Sequence, residues 1–242
     1  MLVEQGQIID GYTASGFLGP QITISNSGEI AFHLGILDAT GREIGAIVTP
    51  DRIIVKEGLD TVGGRPLFRL RDFGGISDSG EMLFSAQSCS PCLNSQFVAS
   101  QERVFMEFPR EVDGIPIVSI WSSDIAANNH LEFAFNGQFN REDGTRQRVL
   151  FADGQRILAE GDMFDGKVIR RIRNQFDIND HGDVAFRAVF EEGGEAVFVA
   201  RPIIPEPDAL MLAAMGLIAL PSWTKEITVR KARLTNRFTL PS

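Results

Sequence analysis

The chain reads as an all-β protein built from a repeated four-stranded antiparallel unit. Three observations predict this. A nine-residue pattern recurs four times, each copy is followed by short apolar strands, and no stretch before residue 208 shows helical periodicity.

The first observation is Ile24-Ser-Asn-Ser-Gly-Glu-Ile-Ala-Phe32, repeated as Ile76-Ser-Asp-Ser-Gly-Glu-Met-Leu-Phe84 and Ile178-Asn-Asp-His-Gly-Asp-Val-Ala-Phe186. A degenerate third copy is read as Ile125-Ala-Ala-Asn-Asn-His-Leu-Glu-Phe133, which spaces the starts by 52, 49 and 53 residues. An Asx/Ser cluster followed by Gly makes a tight turn with one residue at positive φ. Gly28, Gly80 and Gly182 are expected at that position, with Asn129 in the third copy because Asn tolerates it next best. After the fourth turn, Val184, Phe186, Ala188 and Phe190 fall on one strand face and Ala185, Arg187 and Val189 on the other. Phe32, Phe84, Phe133 and Phe186 are read as repeat core.

The second observation is a strand pair after each copy: 46–58, 97–107 and 149–161, with a single strand, Ala196–Ala200, in the fourth. Leu2-Val-Glu-Gln-Gly6 resembles Leu158-Ala-Glu-Gly161, so the N-terminal strand is expected to complete the fourth unit. Four sets of four strands suggest a propeller-like array of about four blades, closed by the opposite terminus so that no edge is left open. A β-sandwich of hairpins and a truncated open array are the alternatives. The repeat domain spans 1–202, followed by a distinct segment, 203–242.

That segment has three parts: Pro205-Glu206-Pro207, an apolar run from Ala209 to Leu220 expected to form a helix, and a basic stretch from Lys225 to Arg237. Apolar residues followed by cations are a membrane topology signal, although a comfortable span needs about 20 apolar residues. The segment also divides the charge. The whole chain carries −9, but residues 1–207 hold 18 basic and 30 acidic residues, a charge of −12. So acidic a body lacks the cationic footprint of a nucleic-acid binder.

Asn179-x-x-Gly182-x-x-Ala185-Phe186 resembles the NxxGxxAF tandem repeat of exported bacterial proteins with interchangeable C-terminal anchors. Ser25 and Ser77 replace the leading Asn in the first two copies, and Leu83 replaces Ala in the second. The Pro-Glu-Pro, apolar run and basic tail resemble a PEP-CTERM sorting signal, from which Pro221, Glu226 and the lack of a compact Arg run depart. The resemblance implies Sec export, transient inner-membrane anchoring through the C-terminal helix, cleavage by an exosortase-type enzyme, and a final place at the cell surface or in the extracellular matrix. Met1-Leu-Val-Glu-Gln-Gly6 is not a signal peptide, since it has neither a basic nor an apolar region. The expected explanation is a start inside a longer gene.

Candidate chemistry is sparse. Cys89-Ser-Pro-Cys92 lies between strands rather than at a helix start, and no second CxxC or His pair offers zinc ligands, so a loop-closing disulfide is expected in an oxidising compartment. Asp177-Ile-Asn-Asp-His-Gly182 imitates a calcium loop, but Ala188 stands where the twelfth-position Glu belongs, which favours an Asx-rich turn. His33, His130 and His181 share no repeat position. No nucleophile elbow or phosphate loop occurs. The sequence therefore predicts a non-enzymatic surface protein with a structural, adhesive or binding role, no cofactor and no metal. Extracellular polysaccharide is the candidate partner. A carbohydrate-binding or carbohydrate-active propeller is the alternative, disfavoured by one Tyr and two Trp. A truncated fragment without independent function is the third reading.

Overall fold

The computed structural model describes residues 3–89, 95–201 and 228–231, and these form an all-β structure with no helix among them. Four antiparallel meanders follow one another along the chain. The first contains β1 (Ile8–Ile9), β2 (Tyr12–Ile24), β3 (Ile30–Leu37), β4 (Glu43–Val48) and β5 (Ile53–Lys56). A small hairpin, β6 (Thr61–Val62) and β7 (Arg65–Pro66), leads to β8 (Arg69–Ile76), β9 (Met82–Gln87), β10 (Gln96–Ala99) and β11 (Val104–Glu107). A second hairpin, β12 (Arg110–Val112) and β13 (Ile115–Ile117), leads to β14 (Ser119–Ala127), β15 (Phe133–Asn140), β16 (Arg146–Ala152) and β17 (Gln155–Ala159). The last sheet holds β18 (Met163–Phe164), β19 (Lys167–Ile178), β20 (Val184–Phe190), β21 (Glu195–Arg201) and β22 (Thr228–Lys231). The expected all-β class is present, as four successive antiparallel sheets of five, four, four and five strands.

Each unit also begins with a miniature hairpin that the strand count above omits. Its turn residues are Asp10-Gly11, Gly63-Gly64, Asp113-Gly114 and Asp165-Gly166, all at positive φ. Two consecutive left-handed residues make the turn whose twist matches a β-hairpin, and Asp-Gly is among its favoured sequences. In two units the turn carboxylate also clips the outermost strand. Asp10 accepts the Ile53 N–H at 2.6 Å, and Asp113 accepts the Arg156 N–H at 3.1 Å.

The inner strands β2, β8, β14 and β19 lie side by side in that order, β2 against β8, β8 against β14 and β14 against β19. Three core clusters each join two successive sheets. Ile47 and Val55 meet Leu70 and Phe84, Leu83 and Val98 meet Phe135 and Phe151, and Leu150 and Leu158 meet Phe186 and Phe198. Cross-strand phenylalanines stack within the later sheets, Phe135 on Phe151 at 5.1 Å and Phe186 on Phe198 at 5.4 Å between centroids. The fourth cluster, with Phe32, Leu34 and Val48, contains only residues of the first sheet and the N-terminal residues Val3 and Ile9. Its neighbour β2 leaves Phe17, Ile22 and Ile24 exposed; Ile24 is 64% exposed, whereas its counterparts Ile76 and Ile178 are 4% and 6% exposed.

Two expectations change. The outer partner of β21 is not the N-terminal strand but Thr228–Lys231 from the basic stretch, paired antiparallel with Arg201↔Thr228 and Phe198↔Lys231. The Asp10-Gly11 turn folds Ile8–Ile9 back onto Tyr12–Thr13, which carries the N-terminal residues onto the first sheet instead. Their likeness to Leu158–Gly161 is nevertheless structural. Gly6 donates to Ala14 O at 2.8 Å, as Gly58 does to Leu67 O at 2.6 Å and Gly161 to Ile169 O at 2.7 Å.

The second change is the register of the third repeat. The turn bond made by Gly28, Gly80 and Gly182 to Ser25, Ser77 and Asn179 is made there by Leu131 to Asn128, at 3.0 Å. Leu131, not Asn129, is the left-handed residue, with φ +59°. The repeat therefore runs Asn128-x-x-Leu131-x-x-Ala134-Phe135, and the spacings become 52, 51 and 51. A left-handed Leu costs roughly 1–2 kcal/mol. Its side chain is buried in the core between the second and third sheets, which contributes about as much in return. The error of two residues preserves strand alternation, so both Phe133 and Phe135 are buried, and alternation alone does not expose the slip. The apolar run 209–220 lies outside the described residues.

Candidate functional site

Two groups of polar residues draw all four repeats together. The first is the set of repeat turns. In each, the side chain of the leading residue accepts the N–H four residues on: Ser25 from Glu29, Ser77 from Glu81, Asn128 from Glu132 and Asn179 from Asp183, at 2.9 to 3.1 Å. This local bond is the reason Ser, Asn and Asp suit these positions. The one or two residues after it reach the neighbouring turn. Ser27 N–H donates to Asp78 Oδ1 at 2.8 Å, Asp78 N–H donates to Asn129 Oδ1, and Asn129 N–H donates to Asp180 Oδ1 at 3.0 Å. Asn129 Nδ2 donates back to Asp78 Oδ2 at 2.9 Å, and Asn26 Nδ2 reaches Asp180 Oδ2 at 2.9 Å. The bonds thus run through all four turns and return from the fourth to the first. The Asn129 N–H, then the Asn26 amide, and then the charges of His130 and His181 hold the exposed Asp180 carboxyl below the usual carboxylate range.

The second group is a belt of bulges across the middle of the inner strands. Pairing with the second strand of each sheet shifts between Phe17 and Ile22, between Leu70 and Asp72 and again between Phe73 and Gly75, between Ile120 and Ile125, and between Ile172 and Phe176. Extra residues on one strand re-aim side chains away from simple alternation. The second-strand residues facing these bulges are His33, Ser85, Asn136 and Arg187, four different chemistries at one repeat position.

Asp72 lies at the centre of this belt, 8% exposed. Burial pushes its carboxyl up to about 6, against the opposing pull of the Phe73 and Ile125 N–H groups and the Gln21 side chain. Those partners belong to β8, β14 and β2, so one carboxylate ties three inner strands. Its counterpart in the last sheet is the neutral Asn174, whose Oδ1 accepts from Arg148 at 2.8 Å. Burial and then the Arg69 charge lower Arg71 from its ordinary value.

Other inter-sheet bonds follow the repeat with substitutions. Glu57 accepts the Gly45 and Leu70 N–H groups at 3.3 and 2.6 Å, and Glu160 accepts those of Arg148 and Ile172 at 3.3 and 3.2 Å. In the second sheet, where Phe108 holds the equivalent position, Gln96 accepts the Ile120 N–H at 2.8 Å instead.

The turn glycines Gly28, Gly80 and Gly182 take φ values of +88°, +79° and +75°. Asp177 and Asn179 spend their side-chain oxygens on the local N–H groups of Ile178, His181 and Asp183, the pattern of an Asx turn. Burial lowers His33, opposed by Glu57. Cys89 follows β9 with its Sγ 3.2 Å from Ser95 Oγ, while Cys92 lies outside the described residues, as do Pro205, Glu206 and Pro207. Among the described residues no group of three or more His, Cys, Asp and Glu is placed to hold a metal. Among the described residues no helix long and apolar enough to cross a membrane occurs, which says nothing of strands. Compared with protein-family models and with curated proteins, the chain matches none.

Proposed function

We propose that this chain is an exported, non-enzymatic repeat protein of the cell surface or extracellular matrix, whose four units form a propeller-like ring with a structural, adhesive or binding role. The observation that carries the ring reading is the Asn26–Asp180 bond, which joins the first and last turns across 154 residues. An open array is the second reading, favoured by the separate core of the first sheet and the exposed face of β2.

The export reading rests on the order Pro205-Glu206-Pro207, apolar run, basic stretch. In it, Sec machinery and an exosortase-type enzyme are the processing partners, and extracellular polysaccharide is the candidate ligand. The acidic charge of residues 1–207 and a Cys89–Cys92 disulfide suit that destination. Fractionation of cells expressing the full-length chain with an internal epitope tests the reading. Recovery in the envelope or medium, with loss of the basic stretch by mass spectrometry, is the expected result. A stable cytoplasmic product overturns it.

A further inference from the structure

We infer that copies of this chain associate head to tail, the last sheet of one copy seating on β2 of the next. The inference rests on the open array rather than the closed ring, and not on the export reading. It continues between chains an interface that recurs three times within one.

Each sheet turns a rear face to the unit before it and a forward face to the unit after it. The strand register identifies equivalent residues on the rear faces. Opposite the repeat phenylalanines Phe32, Phe84, Phe135 and Phe186 stand Ile22, Phe73, Ile125 and Phe176. Opposite the residues two further on stand Phe17, Leu70, Ile120 and Ile172. Leu70 and Phe73 pack into the core shared with the first sheet, and Ile120 and Ile125 into that shared with the second. Ile172 and Phe176 pack into the core shared with the third sheet. Phe17 and Ile22 are exposed, as is Ile24.

The forward faces show the converse. Ala31, Leu83 and Ala134, each one residue before the repeat Phe, are buried in the core shared with the next sheet. So are Ile47, Val98 and Leu150 on the third strand of each sheet. Their counterparts in the last sheet are Ala185, which is exposed, and Val197, which is half-buried. The rear face of the first sheet therefore lacks a forward face, and the forward face of the last sheet is open among the described residues. The chain itself supplies one fragment of the missing surface. Val3, three residues before Gly6, stands as Val55 does before Gly58 and Leu158 before Gly161, and all three are buried. Val55 and Leu158 lie on the outermost strand of a forward face. The part still uncovered is the part that β20 and β21 fill in the other interfaces' geometry.

Within one chain the two ends touch at the turns, through Asn26 and Asp180. No core cluster among the described residues joins the last sheet to the first. The Asn26–Asp180 bond is exposed, so water replaces it at little cost, and the same pair can form between copies. Burial of Phe17, Ile22 and Ile24 favours association by more than one exposed bond opposes it. Two different faces meet, so the contact is heterologous, and copies add until the assembly closes on itself.

The test is sedimentation velocity of the full-length chain from about 1 to 200 μM, a readout indifferent to where the protein is delivered. The mass is expected to rise with concentration from one chain to a dimer or larger. Ile24→Asp spoils the rear face and Ala185→Arg the forward face. Both side chains are exposed, so each variant is expected to keep the parent's urea midpoint and to stay monomeric alone. An equimolar mixture joins the one intact forward face to the one intact rear face, and is expected to give a dimer and nothing larger. A second pair, Ile22→Asp and Val197→Lys, repeats the test where either midpoint falls. A parent that is monomeric at about 200 μM overturns the inference. So does a mixture no heavier than its separate components. Assembly of Ala185→Arg equal to that of the parent also overturns it, since two β2 faces would then be meeting each other.

Discussion

The repeat turns and the bulged belt of the inner strands both draw on all four units, yet they are built on opposite rules. The turns repeat one solution. A small polar residue closes the loop on itself, one of the two residues after it bonds to the next turn, and the carboxylate at the end of the series is exposed. The belt repeats a position but not its content: His33, Ser85, Asn136 and Arg187 face bulges of different length, and the carboxylate there is buried. Regularity belongs to the part that holds units together, and variation to the part where bulges set different side chains at one repeat position. The two carboxylates, Asp180 and Asp72, are displaced in opposite directions, so pH separates the regions experimentally.

The largest effect is expected at Asp72. Its folded value of about 6 lies above the ordinary 3.8, so the native state holds the proton more tightly than the unfolded chain. The stability associated with this group is fully present below about pH 4 and is lost as pH rises through 6. Two units of displacement correspond to about 3 kcal/mol at most. Asp72→Asn keeps an acceptor for the Phe73 and Ile125 N–H groups and resembles Asn174 in the last sheet. Denaturation at several pH values is expected to show the variant more stable than the parent by about 2–3 kcal/mol at pH 8, with the difference gone by about pH 4. A difference that does not change with pH would remove Asp72 from the account of the belt.

A smaller effect of opposite sign is expected at Asp180. Its folded value is lowered by bonds from Asn129 and Asn26, so its contribution is present above about pH 4 and is lost as pH falls through the lowered value. Asp180→Ala removes both bonds and is expected to destabilise by about 1 kcal/mol near neutrality, since the turn is exposed and solvent competes. The cost should vanish in strong acid. An equal cost at all pH values would mean that Asp180 acts through packing rather than charge.

This contrast also explains what the sequence made legible. The turns were readable because their chemistry is local. Ser25, Ser77 and Asn179 bond to residues four positions away, and glycine marks the left-handed site, so the pattern survives in a linear string. The Asp-Gly turns of the small hairpins are equally local and carry their own signal in the sequence. The belt was not readable because bulges break the period of two, and because its contacts join residues far apart: Asp72 meets Gln21 and Ile125, and Arg148 meets Asn174. The third turn fell between these cases. Leu131 takes a glycine's place through burial, which is a tertiary reason, and the local pattern was therefore misplaced by two residues.

The smallest expected effect decides that register. If Asn129 held the left-handed position, Asn129→Gly would relieve backbone strain and raise stability by a few tenths of a kcal/mol or more. With Leu131 in that position, the same substitution brings no relief. It removes the acceptor for the Asp78 N–H and the donor to Asp78 Oδ2, and it adds the conformational entropy of glycine to the unfolded chain. The net expectation is a loss of about 1 kcal/mol, measured as a lower urea midpoint at unchanged slope. Asn26, the counterpart in the first turn, provides the control. It bonds to Asp180 by its amide alone, so Asn26→Gly should cost less than Asn129→Gly. A stabilised Asn129→Gly would return the left-handed position to Asn129. It would also break the regular spacing on which the equivalence of the four turns depends.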